Sequence, residues 1–327
     1  MPRSLVQCFC LFALASTPHI APAVAADARV AAVPTSQRVF VVTSPAELVL
    51  PGIASSEFSE VRLAVSPDGK TMLWGSKDRP GGPGGWDIWL TRRGTSEWSP
   101  PEPASFDSPD KEFDPAFSPD GKFVYFFSNR QGTLGGDDIF RVPTTASGFG
   151  AVEHLGAEVN SAGDEWAPAV SPDGKTLLFA SDGRGGAGRR DLFVARLDGH
   201  ELATAQPLPG AVNTSADEFD ATFLPDGSSI VFTRSADIKN DPVELFFAAA
   251  GPEGYDTGTI LPATVNVSGG YTYGPAIDWA DGAILYFTSQ RPEAKVGKND
   301  LYRVRFAVEP SRSAAGAESE ALCRDGD

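Results

Sequence analysis

Two carboxylates break the pattern of a repeated unit. At one position of five matching segments the residues read Arg62, Asp114, Ala167, Asp220 and Pro275. A pair of aspartates supplied by two non-adjacent copies has three chemistries open to it. It could hold a cation such as Ca2+ through oxygen ligands. It could meet a basic group of a partner. It could also divide acid and base work in a glycosidase, where two carboxyl groups stand about 5–9.5 Å apart with different pKa values.

Two more columns run beside it. Glu60, Glu112, Glu165 and Glu218 share one position, with Tyr273 read as the fifth member, and the Gly-rich loops carry Arg79, Arg130, Arg184 and Arg291. Charges that recur in nearly every copy have a structural explanation, each pair tying its own copy's loops together. The alternative is a ring of ligand-binding groups. Positions that depart from the repeat are better candidates for function, and Trp86 is one, standing where most other copies carry a polar residue. Trp86, Trp166 and Tyr273 would offer rings to a peptide or a sugar, although packing accounts for Trp166 equally well. The candidate ligand-binding set is therefore Asp114 and Asp220, the glutamate column with Tyr273, the four arginines and Trp86. No catalytic residue, metal ligand set or cofactor is assigned, Ca2+ at the acidic pair being the one cation considered. His154 falls in a fourth strand and His200 in the turn "LDGH", so a zinc site or a Ser-His pair is hard to build.

These residues need a scaffold, and the scaffold is written in a fivefold repeat. "SPDGK" stands at 66–70, 118–122 and 171–175, followed at similar spacing by "LPDGS" with Asp226 and "WADGA" with Asp281. Each unit continues with an apolar strand that always carries one aromatic residue: Trp74, Phe126, Phe179, Phe232 or Phe287. A Gly-rich loop comes next. An acidic-aliphatic-aromatic triplet ("DIW", "DIF", "DLF", "ELF", "DLY") then opens a third strand, and a less regular fourth strand leads to the next unit. Four short strands per unit joined by turns describe an antiparallel sheet, and such sheets repeated radially make a β-propeller. The aromatic column fills the wedge between sheets. Pro presets the second turn position, Asp tolerates the bridge region and Gly takes the left-handed one. The repeated pentapeptide is therefore a hairpin corner, not a catalytic motif.

The first and last units predict how the ring closes. "LPGIASSEFSE" (50–60) aligns without a gap to "LPGAVNTSADE" (208–218), so the residues before it, "RVFVVTSPAELVL" (38–50), read as a fourth strand lacking its own first three. The last unit ends at "LYRVRFAVEP" with three strands. Exchange of the N-terminal strand into the last unit gives an all-β, five-bladed propeller of four-stranded blades. A six-bladed ring is the alternative, but residues 27–60 are short for a further blade.

The chain ends carry other signals. In this 327-residue chain, Arg3, an apolar run over Leu5–Ala15 and the small residues around Ala23–Ala25 form the pattern of a cleaved secretory signal over 1–26. Residues 27–36 read as a linker, 37–308 as the propeller and 309–327 as a polar disordered tail with Cys323. The expected location is periplasmic or secreted. Only Cys323 follows the signal, so no internal disulfide is expected. A formal net charge of -16 disfavours nucleic acid and anionic lipid as partners. A monomer without membrane insertion is expected.

"DPAFSPDGKFVYFFSNRQGTLGGDDIF" (114–140) and its four relatives resemble the WD40-like β-propeller repeat of TolB and of many exported bacterial proteins with outer-membrane ties. The resemblance covers about residues 45–305. It implies the propeller fold and points to a scaffold in the cell envelope binding a protein or peptide at its loop face and central channel. A carbohydrate-active hydrolase using channel carboxylates is the alternative. The chain lacks TolB's separate N-terminal domain, and TolB's own partners are not implied.

Overall fold

The computed structural model describes residues 38–311 apart from 199–200 and 293–295. The segments read as signal peptide and linker, His200, and the tail from residue 312 with Cys323 lie outside the described residues.

Five antiparallel sheets follow one another along the chain. Blade one consists of an inner strand Ser59–Val65, a second strand Thr71–Lys77, a third strand Trp86–Arg92 and a short outer strand Glu102–Pro103. Blade two uses Glu112–Phe117, Phe123–Ser128 and Asp138–Thr145, with an outer strand split into Gly148–Phe149 and Glu153–His154. Blade three repeats this with Glu165–Val170, Thr176–Ser181 and Asp191–Asp198, and blade four with Asp217–Phe223, Ser229–Ser235 and Glu244–Gly251. Blade five has Thr272–Ile277, Ile284–Ser289 and Asp300–Pro310, the last running past residue 308, where the sequence reading ended the propeller. Its outer strand comes from the other end of the chain. Arg38–Val42 pairs with Phe306–Pro310, and Glu47–Leu48 pairs with Tyr302–Arg303.

The ring is therefore closed by strand exchange, and it has five blades, not six. Closure removes the raw sheet edges that an open ring would leave. The core follows the same circle. Five apolar clusters each lie between two successive sheets, and one of them joins Leu63 and Trp74 of blade one to Tyr286 and Leu301 of blade five. The aromatic column supplies the centre of each wedge: Trp74, Phe126, Phe179, Phe232 and Phe287 are all 0% exposed. Burial of each such ring contributes about 1.5–3 kcal/mol. Phe40 of the exchanged strand stacks on Phe306 at 4.7 Å and reaches Phe247 of blade four at 5.8 Å.

The Ser-Pro-Asp-Gly corners form as expected. In blades one to three the glycine N–H donates to the serine carbonyl at 2.8 Å, with glycine φ of 68, 70 and 73° at Gly69, Gly121 and Gly174. The serine hydroxyl donates to the aspartate at 2.6, 2.7 and 2.6 Å.

Each loop between blades is tied to the third strand it has just left. Asn160, Asn213 and Asn266 accept from the backbone N–H of Ile139, Leu192 and Leu245 at 2.7, 2.8 and 2.8 Å. Their amide nitrogens donate back to the same residues' carbonyls at 3.0, 2.9 and 3.0 Å. Ser55 does both jobs with one hydroxyl against Leu301. After blade one the same place is held by Asp107, which accepts from Ile88 N–H at 3.2 Å through Oδ1 while its buried Oδ2 has no partner among the described residues. Burial, and after it the charge of Glu112, pushes this carboxyl up to about 8.

Candidate functional site

Every inner strand carries one extra residue against its second strand, between Val61 and Ala64, Phe113 and Ala116, Trp166 and Ala169, Phe219 and Thr222, and Tyr273 and Ala276. These are β-bulges, which bend a strand and re-aim a side chain. The bulged residue is left-handed each time: φ is 43° at Arg62, 50° at Asp114, 52° at Ala167, 45° at Asp220 and 61° at Gly274. For a residue with a Cβ this conformation costs about 1–2 kcal/mol. Four of five blades accept that cost at the ring of positions nearest the axis.

The bulge register corrects the sequence reading of blade five. Thr272 pairs with Ser289 as Glu112 pairs with Ser128, so Thr272 is the fifth member of the glutamate column and Tyr273 lies one residue beyond it. Gly274, not Pro275, is the counterpart of Asp114 and Asp220. The alignment slipped because "YTYGP" lacks the acidic residue that anchors the other four copies.

The glutamate and arginine columns are structural. Glu60, Glu112, Glu165 and Glu218 are 0% exposed. Each grips the residue four positions earlier. Glu112 accepts from the Ser108 N–H and hydroxyl at 2.8 and 2.6 Å, Glu165 from those of Ser161 at 2.7 and 2.5 Å, and Glu218 from those of Thr214 at 2.9 and 2.6 Å. Glu60 bonds Ser56 in the same way. Arg130 pairs with Glu112 at 2.8 Å. Arg79, Arg184 and Arg291 donate to backbone carbonyls of the neighbouring inter-blade loop, at Ile53, Val159 and Val265 among others. Arg79, Arg130 and Arg291 also lie over two rings of their own blade. Blade four supplies the missing member as Arg234, 2.6 Å from Glu218 and over Phe232 and Phe246. It escaped sequence reading because it sits in the second strand instead of the loop.

Asp114, Asp220, Trp86 and Tyr273 come together. They line a cup of about 340 Å³ at the loop-face mouth of the channel. Phe113, Trp166, Phe219 and Tyr273, each one residue before a bulge, wall it together with Phe127 and Tyr271. Trp86 meets Phe113 edge-on at 4.4 Å, and Phe127 stacks toward Trp166 at 6.2 Å. Ile238 and Val243 of blade four and Gln290 of blade five complete the rim. A wider hollow of about 850 Å³ lies on the opposite face among the turns of blades one and two, but residues such as Lys70, Arg92 and Thr145 make it an open polar groove.

Charged groups enter the cup at two places. On the wall, Asp137 accepts from Lys111 Nζ at 2.5 Å and from Trp166 Nε1 at 2.9 Å, so that charge pair is internally satisfied. At the base, Asp114 is 3% and Asp220 5% exposed. Burial raises both carboxyls above the usual range; Asp220's charge lifts Asp114 further, while Arg62 opposes the shift at both. The Gly274 N–H and Arg190 also hold Asp220 down. Among the described residues no donor reaches the Asp114 carboxylate. Burial and the two aspartates push the Tyr273 phenol up, so it stays protonated.

Arg62 closes the cup from below. Its Nη2 crosses from blade one to donate to Pro168 O at 3.1 Å and Ala221 O at 3.3 Å, in blades three and four. On its far side, among the described residues, Arg62 lines a hollow of about 20 Å³ at the other mouth. The channel is a blind well. Sequence reading placed Arg62 in the right column but did not see it as a plug, and it missed Lys111, Asp137 and most of the wall. The aromatic position in "EFD", "EWA" and "EFD" was a legible signal for that wall.

His154 stands outside the cup, its Nε2 2.7 Å from Asp138. Among the described residues no group of three or more His, Cys, Asp or Glu side chains is arranged to hold a metal ion. Nor is any helix there long and apolar enough to cross a membrane.

No protein-family model matches the chain, and no curated protein matches it. Solved structures with a similar course of the backbone include TolB from Acinetobacter baumannii, 17% identical, with a TM-score of 0.47 over 77% of this chain and 56% of that one. This chain thus spans a little over half of that protein. A TolB candidate from Agrobacterium tumefaciens is 16% identical, with a TM-score of 0.45 over 76% of this chain and 91% of that one. The α-L-arabinofuranosidase of Podospora anserina is 10% identical, with a TM-score of 0.45 over 83% of this chain and 97% of that one. At these identities and TM-scores the likeness carries no residue role to this chain.

Proposed function

We propose that this propeller is a non-catalytic binding module of the cell envelope that seats a side chain of a protein or peptide partner in the loop-face cup. The observation that carries the reading is the blind, aromatic-walled well whose base holds two unequal, buried carboxyl groups above the Arg62 plug. Small ligand sites have this make-up, mostly apolar with a few convergent polar groups. Export is supported by the signal pattern of residues 1–26.

The test uses the mature wild type and the Asp114→Asn/Asp220→Asn double variant as baits in periplasmic extract. Removing both carboxyls leaves the buried Arg62 without a counter-charge, so each bait is used well below its own measured Tm, and the Asp114→Asn single variant, which keeps Asp220 beside Arg62, is run alongside. A partner retained by wild type and lost by both folded variants supports the reading. Equal retention by all three proteins overturns it.

A second reading, glycoside hydrolysis, is favoured by one observation: two buried carboxyl groups at the base of a single well, both held toward their protonated form by burial. Turnover of an aryl glycoside or polysaccharide, abolished by Asp114→Asn, would replace the binding reading with this one.

A further inference from the structure

The base of the cup has more negative groups than its surroundings neutralise. Lys111 is taken by Asp137 at 2.5 Å. Arg62 turns Nη2 away to two backbone carbonyls and offers one positive charge against two aspartates. Arg190 lies behind the wall, 4.0 Å from the Trp166 ring. Asp220 has the Gly274 N–H; Asp114, 3% exposed and open to the cup, has no donor among the described residues. A carboxylate so placed lacks one cationic donor.

The walls limit what that donor can be. A bare divalent cation such as Ca2+ takes six or more oxygen ligands, and beyond the two aspartates the cup offers few, Asp137 being already held by Lys111 and Trp166. A sugar needs hydrogen-bonding groups around its ring, whereas most of this lining is aromatic or aliphatic, with the satisfied Lys111–Asp137 pair, Gln290 at the rim and two tyrosines the polar side chains away from the base. An anion would meet the aspartates. An ammonium on an apolar stem satisfies base and wall together, and aromatic rings attract cations as well as burying stems.

We propose that the cup is a receptor for an organic ammonium group on an apolar stem, seated against Asp114 and Asp220 with its stem between Phe113, Trp166, Phe219 and Tyr273. This rests on the binding reading above and names its ligand chemistry. A lysine or amino terminus of a peptide and a free small amine share that chemistry. Because burial keeps a proton on the aspartate pair, the incoming cation displaces it, and affinity rises with pH.

Calorimetry on the intact mature protein tests this with benzyltrimethylammonium, whose charge does not titrate, and with phenethylamine, 2-phenylethanol and 3-phenylpropionate. Both cations should bind about tenfold or more tighter than the neutral alcohol, and the carboxylate should not bind; tenfold corresponds to the smallest effect of an adjacent opposite charge on a carboxyl. Benzyltrimethylammonium should bind more tightly at about pH 8 than at about pH 5.5, with an enthalpy that depends on the buffer's heat of ionisation. Asp114→Asn/Asp220→Asn should erase the preference for cations. A Lys-bearing peptide against its norleucine twin separates the peptide source from the free amine. Equal binding of alcohol and cation, cation binding indifferent to the double variant, or binding of Ca2+ alone would overturn the proposal. If neither cation binds while partner capture stays aspartate-dependent, the ammonium assignment falls and the binding reading stands. Amine binding without any partner capture does the reverse.

Discussion

Replacing Asp107 with asparagine should stabilise the ring in alkaline but not in acidic solution. Three junctions use a side-chain amide that both accepts from and donates to one third-strand residue. At the fourth, Asp107 Oδ1 accepts from Ile88 N–H, and Oδ2 is buried without a donor. A proton on Oδ2 restores the missing donor toward Ile88 O. The folded protein holds that proton up to about pH 8, whereas the unfolded chain releases it near its ordinary value of 3.8. Between those limits the folded state carries more protons than the unfolded one, so the contribution to stability is complete below about pH 4 and drains away as pH rises toward 8. Leaving a buried polar group unsatisfied costs about 1–3 kcal/mol. Asp107→Asn supplies a donor that cannot titrate, so it should recover most of that at about pH 9. For a domain of this size the gain is on the order of 5 °C in Tm. Near about pH 3.5, where the folded and much of the unfolded chain hold the proton, the protonated aspartate already does the amide's work, and the two proteins should melt together. Thermal unfolding followed by circular dichroism at both pH values is sufficient, and Asn160→Asp should import the same pH dependence into blade two. A gain in Tm equal at both pH values, or a loss at high pH, would refute the reasoning.

Two other predictions concern the frame. Glu218→Ala should cost about 3 kcal/mol, because it leaves the partly buried Arg234 guanidinium without its carboxylate and Thr214 without its acceptor; chemical unfolding showing less than about 1 kcal/mol would mean that the backbone carbonyl of Val212 suffices for Arg234. Removing residues up to 50 should abolish the cooperative melt by stripping blade five of its outer strand, and a synthetic peptide of 38–50 added in trans should restore it. An unchanged melt after truncation would show that the exchanged strand does not hold the ring shut.

Much of the fold was legible because its causes are local. A Pro-Asp-Gly corner needs only its own φ angles, so Asp68, Asp120 and Asp173 announce hairpins without reference to anything distant. The aromatic column was legible because every wedge poses the same packing problem, and Trp74 solves it as Phe126 does. The candidate site was less so. Asp114 and Asp220 stood out by breaking the repeat, and the glutamates and arginines, whose recurrence already had a structural explanation, are ties between loops. Asp107 drew no notice, since its meaning depends on Ile88, which shares no local pattern with it.

The order of residues by itself determined the number of blades, the corners, the ring-filling column and the strand that crosses from the front of the chain to its last sheet. Tertiary structure alone decided that Arg62 seals the channel, that Tyr273 sits on the wall and Gly274 on the bulge, and that seven rings from five blades line the cup around two buried aspartates. The division has a physical reason. Turns and alternating strands are set by forces between residues close along the chain. The direction of a side chain at the axis is set by the bulge register and the twist of five separate sheets, and these combine only when the circle closes.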